Sequence, residues 1–262
     1  MISTFTSILR FIFRSLLLIG FLLFFLTPLL MRVNYYRRLE TAEGSRKADR
    51  AGVRLSSRLV WFFGLRVQRT GQPQDGPVLI AANHISWLDV PVLHGACAMG
   101  FISKAEVENW PIVRYIARTG GTIFHQRGNH DSAAGVNSLM VQRLQQGRAV
   151  TIFPEGGILA GAPIRVFHAR MFKAAVDVGC AVQPVMIRYM RDGQIDEEVA
   201  FRVGESMAMN FCRQLARPKS VAEVHFLPVI NAIDQPRRAL ADGARAAVIS
   251  RYESQCSVNP KH

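Results

Sequence analysis

Among the side chains able to move a proton, His84 and Asp89 stand out because they lie five residues apart in VLIAANHISWLDVPVL, directly after an apolar run. A carboxylate bonded to one imidazole nitrogen fixes the tautomer, stabilises the imidazolium formed during proton transfer and leaves the other nitrogen as a base. In one straight helix two residues five apart point about 140° away from each other and cannot cooperate. The pair works only if His84 sits in the turn after a strand and a helix starts near Ser86. The same letters support a second reading, in which Ser86-x-x-Asp89 is a capping-box-like helix start that accounts for the aspartate without chemistry.

Two more turns carry chemistry-bearing residues. ARTGGTIFHQRGN places Arg127 at a strand tip behind a glycine pair, and a guanidinium fork suits phosphate; a surface pairing with Asp131 is the alternative. In AVTIFPEGG an apolar strand breaks into a turn that puts Glu155 at the carboxyl end of the strand, the edge of an α/β sheet where ligands bind. Gly156 and Gly157 allow close backbone approach to a ligand, whereas a plain turn would leave Glu155 on the surface. His125, His130 and Asp131 have no further partner at metal-ligand spacing, so no metal site is expected. There is no G-x-S-x-G elbow, P-loop or dinucleotide fingerprint, which removes the commonest competing enzyme classes.

These residues need strands that end together. Short apolar runs (PVLIAA, GTIF, AVTIF, AVQPVMI and Ala222 to Leu227) alternate with helix-like stretches from Glu106 to Arg118, Ser132 to Gln146 and Ile164 to Val178. An amphipathic helix from about Pro236 to Tyr252 follows. The alternation predicts an α/β fold, a mixed sheet flanked by helices. Ahead of it, Ser15 to Met31 is uncharged and, with the residues between Arg10 and Arg14, approaches the ~20 apolar residues that cross a bilayer. RVNYYRR follows, with no small-x-small cleavage site, so an N-terminal membrane helix is expected rather than a cleaved leader. Pro28 leaves open a kinked helix dipping into one leaflet. Ala42 to Phe63 reads as a basic amphipathic helix, and GQPQDGP marks a boundary, giving residues 1–70 as the anchoring part and 71–262 as the catalytic domain.

Composition agrees with association with a membrane. The net charge of +13 calls for an anionic partner, and the basic residues crowd the stretch after the apolar segment, from Arg32 to Arg69. A juxtamembrane cluster of this kind is drawn to an anionic leaflet by roughly 1 kcal/mol per basic residue. The positive flank places that side in the cytoplasm, which predicts an inner (cytoplasmic) membrane protein with its catalytic domain on the cytoplasmic side. Cys97, Cys180, Cys212 and Cys256 are far apart and form no C-x-x-C pair, as in a reduced compartment.

Taken in order, N-H-I-S-W-L-D, G-T-I-F-H-Q-R, F-P-E-G-G and V-Q-P-V-M-I resemble the glycerolipid acyltransferase family typified by 1-acylglycerol-3-phosphate acyltransferase, over roughly Pro77 to Tyr189. F-I-S-K-A-E, which contains Lys104, is similar to the family's link between its first two blocks. The resemblance implies that His84 is the general base, with Asp89 its partner. It also implies that Gly121, Phe124, Arg127, Glu155 and Gly156 contact the acceptor, with Pro184 shaping the pocket. The third block departs from the family, carrying Gly157 and Ile158 where threonine and arginine are usual, which leaves Arg127, Lys104 and Arg165 to share any phosphate grip. The implied reaction moves a fatty acyl group from acyl-CoA or acyl carrier protein, as co-substrate, to the free hydroxyl of 1-acylglycerol-3-phosphate. No cofactor or nucleic acid takes part. Another lyso-lipid such as lyso-ornithine lipid is the alternative acceptor, and a non-catalytic membrane lipid-binding protein the alternative class.

Overall fold

The structure is a computed structural model and describes residues 2–39, 41–104, 123–125, 130–158 and 164–256. In chain order the main elements are α1 (Ile2–Phe21), a π-helical turn (Leu22–Leu26), α2 (Thr27–Arg38), α3 (Ala42–Phe62), β1 (Leu65–Thr70), β2 (Val78–Ala82), α4 (Asp89–Ala96), β3 (Gly100–Lys104) and β4 (Ile123–His125). They continue with α5 (His130–Gln145), β5 (Val150–Ile152), α6 (Lys173–Val178), β6 (Ala181–Arg191), β7 (Gln194–Ile195), α7 (Met207–Ala216), β8 (Ser220–Phe226) and α8 (Arg237–Cys256).

Eight strands form one mixed sheet in the order β1-β8-β6-β2-β5-β3-β4, with β7 hairpinned onto β6. Strands β6, β2, β5, β3 and β4 run parallel, while β8 and β1 run the other way. Every residue of β2 is buried, because both faces of the sheet are covered. Val78, Ile80 and Ala82 face a core shared with Leu55 and Val60 of α3, Leu93 of α4 and Leu215 of α7. Leu79 and Ala81 face a second core holding Met140 and Leu144 of α5, Ala174 of α6 and Leu240, Ala244 and Val248 of α8. The result is the expected sheet flanked by helices.

Two expectations change. Strand β1, LRVQRT, alternates apolar and polar residues as an edge strand does, and it pairs with β8 although it lies on the amino-terminal side of residue 71. Ile164 to Val178 is not one helix. Residues 164–168 are held out of helical geometry because Arg165 N donates to Glu155 and His168 N to the Pro154 carbonyl, while Arg245 takes up the carbonyls of Ile164 and Arg165. Only a 3₁₀ turn (Ala169–Phe172) and α6 remain. The stretch from Glu106 to Arg118 lies outside the described residues.

The apolar amino-terminal segment is one long helical run. Thr4–Tyr36 is long and apolar enough to cross a membrane. Pro28 cannot donate a helical hydrogen bond and its ring crowds the preceding turn, which widens into the π-helical turn just before it. One side of the run is fastened to the body. Arg10 Nε donates to the Ala216 carbonyl at 3.1 Å, and Arg14 Nη1 to those of Leu215 and Arg217 at 3.1 and 2.7 Å, supplying partners for orphan carbonyls at the end of α7. Leu18, Phe21, Leu26 and Leu30 enter the first core, and α2 packs on α3. The other side leaves Leu16, Ile19, Leu23, Phe24, Phe25 and Met31 exposed.

Candidate active site

Strand β2 ends at Ala82, and Asn83 extends its attachment to β6 by side chain rather than backbone, donating to the Ile187 carbonyl at 3.0 Å and accepting the Ile187 amide at 2.7 Å. The next residue is His84, in the turn, and α4 begins at Asp89 rather than near Ser86. His84 Nδ1 lies 2.8 Å from Asp89 Oδ2. The same oxygen accepts the amides of Ile85 at 2.7 Å and Ser86 at 2.9 Å. The carboxylate thus meets both the imidazole and the backbone of the turn that leads into α4, while Ser86 does not cap the helix: Leu88 precedes its first residue and no side chain caps it there. Its other oxygen, Oδ1, accepts the Tyr189 hydroxyl at 2.6 Å.

Four donors make the ionised carboxylate tolerable at a position with no solvent exposure. With Asp89 ionised, Nδ1 carries the proton that bonds it and Nε2 is left as an acceptor. The ring is stacked on Phe153, with centroids 3.9 Å apart and planes 15° from parallel.

Glu155 follows β5, whose Ile152 lies beside Ala81 of β2, so both turns open at the carboxyl ends of neighbouring parallel strands. Its side chain is turned inward and only 6 % exposed. Oε1 accepts the His84 amide at 2.9 Å and Oε2 the Arg165 amide at 3.0 Å. Gly156 carries φ +77°, a left-handed conformation that lets the turn fold back and that a side chain would strain, although an added Cβ would meet His168 only at ordinary contact distance. Arg165 is nearby, but its guanidinium donates to the Gly157 carbonyl and lies 3.8 Å from Glu155. Pro184 is on β6, level with Ala81. Lys104 ends β3 and Phe124 lies in β4, strands that pair with each other through Ser103 and Phe124. Gly121 and Arg127 fall outside the described residues.

A histidine held by a buried carboxylate at the mouth of a parallel sheet can act chemically as a base toward a hydroxyl. Comparison with known proteins points the same way. A family model described as Acyltransferase matches residues 65–188. A lyso-ornithine lipid O-acyltransferase from Pseudomonas aeruginosa is 35% identical over 192 residues, covering 73% of this chain and 74% of that one. The chain belongs to the acyltransferase family. A 1-acyl-sn-glycerol-3-phosphate acyltransferase from Neisseria gonorrhoeae is 34% identical over 127 residues, 48% of this acyltransferase and 50% of that protein. The crystal structure of the 1-acyl-sn-glycerophosphate acyltransferase PlsC from Thermotoga maritima superposes with a TM-score of 0.70, covering 95% of this chain and 98% of that one at 17% identity, and so shares the fold.

Sequence reasoning about this acyltransferase missed three residues at the site. Tyr189 lies a hundred positions from its partner. Asn83 has no signal beyond adjacency to the histidine. Trp87 packs edge-on against Phe63 and donates through Nε1 to Asn210 Oδ1 at 2.9 Å, tying the His84 turn to α7.

Proposed function

We propose that this acyltransferase moves a fatty acyl group from a thioester carrier, acyl-CoA or acyl carrier protein, to the free hydroxyl of a lyso-lipid, with His84 as general base. The observation that carries the reading is the 2.8 Å contact of His84 Nδ1 with a fully buried Asp89. Nε2 takes the hydroxyl proton as the acceptor oxygen bonds to the thioester carbonyl carbon. The tetrahedral intermediate collapses with cleavage of the carbon–sulfur bond, and the imidazolium returns the proton to the departing thiolate. Asp89 stabilises the imidazolium in between. No acyl-enzyme, metal or cofactor enters this scheme.

For the acceptor, lyso-ornithine lipid is placed ahead of 1-acylglycerol-3-phosphate, reversing the order the sequence alone suggests. Two observations support the reversal. The turn after Glu155 lacks the arginine usual in the family, and Arg165, the nearest candidate to replace it, spends its guanidinium on Gly157 and Glu155. A zwitterionic amino-acid head group needs less concentrated positive charge than a phosphate monoester. In addition, a lyso-ornithine lipid acyltransferase from Rhodobacter capsulatus is 32% identical over 73% of this chain, as long a match as the Pseudomonas one. Arg127 keeps the phosphate acceptor in second place.

The attachment of Arg10 and Arg14 to the body supports a helix lying in one leaflet rather than spanning it. The basic α3 then rests on the cytoplasmic surface of the inner membrane. An acceptor screen with purified protein and labelled acyl donor tests the assignment, comparing lyso-ornithine lipid, 1-acylglycerol-3-phosphate and lysophosphatidylethanolamine. Lyso-ornithine lipid is expected to have the highest kcat/KM, and His84→Ala to lose about 10²- to 10⁴-fold with each acceptor while remaining folded. A tenfold preference for 1-acylglycerol-3-phosphate overturns the acceptor order, and an active, folded His84→Ala overturns the mechanism.

A further inference from the structure

Asp89 receives its hydrogen bonds unevenly. Oδ2 accepts three, from His84 Nδ1 and the amides of Ile85 and Ser86, whereas Tyr189 is the one described residue bonded to Oδ1, at 2.6 Å. Tyr189 is placed there by strand register. It alternates with Val185 and Ile187 on the face of β6 that looks toward α4, and Asn83 clamps Ile187 from the residue just before His84. The hydroxyl is fully buried. We propose that Tyr189 is a positioning residue that sets the pH range over which His84 is an effective base, by neutralising part of the charge on Asp89.

The argument rests on the reading of His84 as the base and concerns how much of the carboxylate's charge the imidazole feels. A hydrogen bond from Tyr189 withdraws charge from Asp89 and so weakens the pull of the carboxylate on a proton at Nε2. His84 then remains neutral, and active, at lower pH than it otherwise would. Tyr189 can keep that role throughout the working range, because burial first, and the Asp89 charge second, push its own ionisation well above the usual tyrosine value. Other described charged or titratable groups around the pair are Glu155 at the His84 amide, Arg165 beside Glu155, His168 beside Gly156, and Arg217, whose charge reaches Tyr189. A change confined to the hydroxyl leaves all of them in place.

The test compares Tyr189→Phe with the wild type in pH profiles of kcat/KM, using the same acyl-CoA and lyso-lipid for both. Activity falls on the acid side as the base is protonated. Without the hydroxyl, Asp89 presents more charge, protonation comes earlier as pH is lowered, and the acid limb moves to higher pH by roughly half a unit or more. A merely structural tyrosine would lower the whole profile without moving its limb, and that result overturns the proposal. Should Tyr189→Phe fail to fold, 3-fluorotyrosine at position 189, a stronger donor, is expected to move the limb to lower pH; an unmoved limb again overturns the assignment. His84→Ala, assayed alongside, separates the two claims. If it is inactive and the limb does not move, only the role of Tyr189 falls; if it is active, the base itself has been misassigned.

Discussion

Glu155 joins two distant backbone amides through one carboxylate, and that arrangement leaves little room for substitution. In Glu155→Gln the side-chain amide group must face either the His84 or the Arg165 N–H, setting donor against donor in a buried place. Leaving such a group unsatisfied costs about 1–3 kcal/mol. We expect the thermal midpoint to fall by roughly 2–4 °C for each kcal/mol. kcat should fall as well, because His84, the proposed base, loses its tether. Wild-type kcat with a lowered midpoint would make Glu155 a purely structural brace. His84 and Glu155 are legible in the sequence because each lies in a turn just after an apolar strand, and Asp89 because its spacing from His84 lets that turn bring the two together. The inward turn of Glu155 is not legible, since its partners lie 71 and 10 residues away and only the folded sheet brings them together. Tyr189 is hidden for the same reason.

At the scale of elements, α7 links the turn that carries His84 to the amino-terminal helix. Trp87 packs on its Phe211 and bonds its Asn210, while Arg10 and Arg14 fill the carbonyls at its far end. The start of α7 is held by an ionic cluster in which Arg213 bonds both oxygens of Glu205, and Asn210 and the Arg202 amide add further donors. With Arg213 as the main cause, the Glu205 carboxyl is pushed down to about 2 from an ordinary 4.5. A carboxyl depressed by folding stabilises the native state above its unfolded value, and that contribution is lost as pH falls toward the folded one. Urea unfolding at pH 5.5, 4 and 3, spanning about that window, should therefore show a loss of stability that Glu205→Gln largely removes. An equally steep loss in both proteins would place the acid sensitivity elsewhere. The strand and helix periodicities revealed most of the sheet and the long helices α3, α5 and α8. Helix α7 escaped because it spans only 10 residues between two turns, although Phe211 and Leu215 lie on one face and pack into the first core.

For the whole molecule, the exposed apolar side of the amino-terminal helix and the basic α3 offer two physically different attachments to lipid under the proposed membrane association. Leu23 and Phe24 are about two-thirds exposed, at 67% and 71%, and their insertion into a bilayer would not depend on charge. Arg46, Arg50, Arg54 and Arg58 follow one another at helical spacing along the exposed side of α3, and Trp61 is exposed one turn further on. Their attraction to an anionic leaflet is screened within about 8 Å at physiological ionic strength. Deleting the amino-terminal helix would not separate the two, because it would also strip Arg10 and Arg14 from α7 and Leu18, Phe21, Leu26 and Leu30 from the core. Point changes on the exposed sides do separate them. Arg50→Ala with Arg54→Ala removes roughly 2 kcal/mol of attraction to anionic vesicles, about 30-fold in binding. It should change binding to neutral vesicles little. Leu23→Ser with Phe24→Ser should weaken binding to both vesicle types and leave a remainder that is released as salt is raised. Flotation of the full-length variants with neutral and anionic vesicles across a salt series reads both effects. If the serine pair floats as well as the wild type at every salt concentration, the exposed apolar side does not meet the bilayer, and the anchor lies in another part of the molecule.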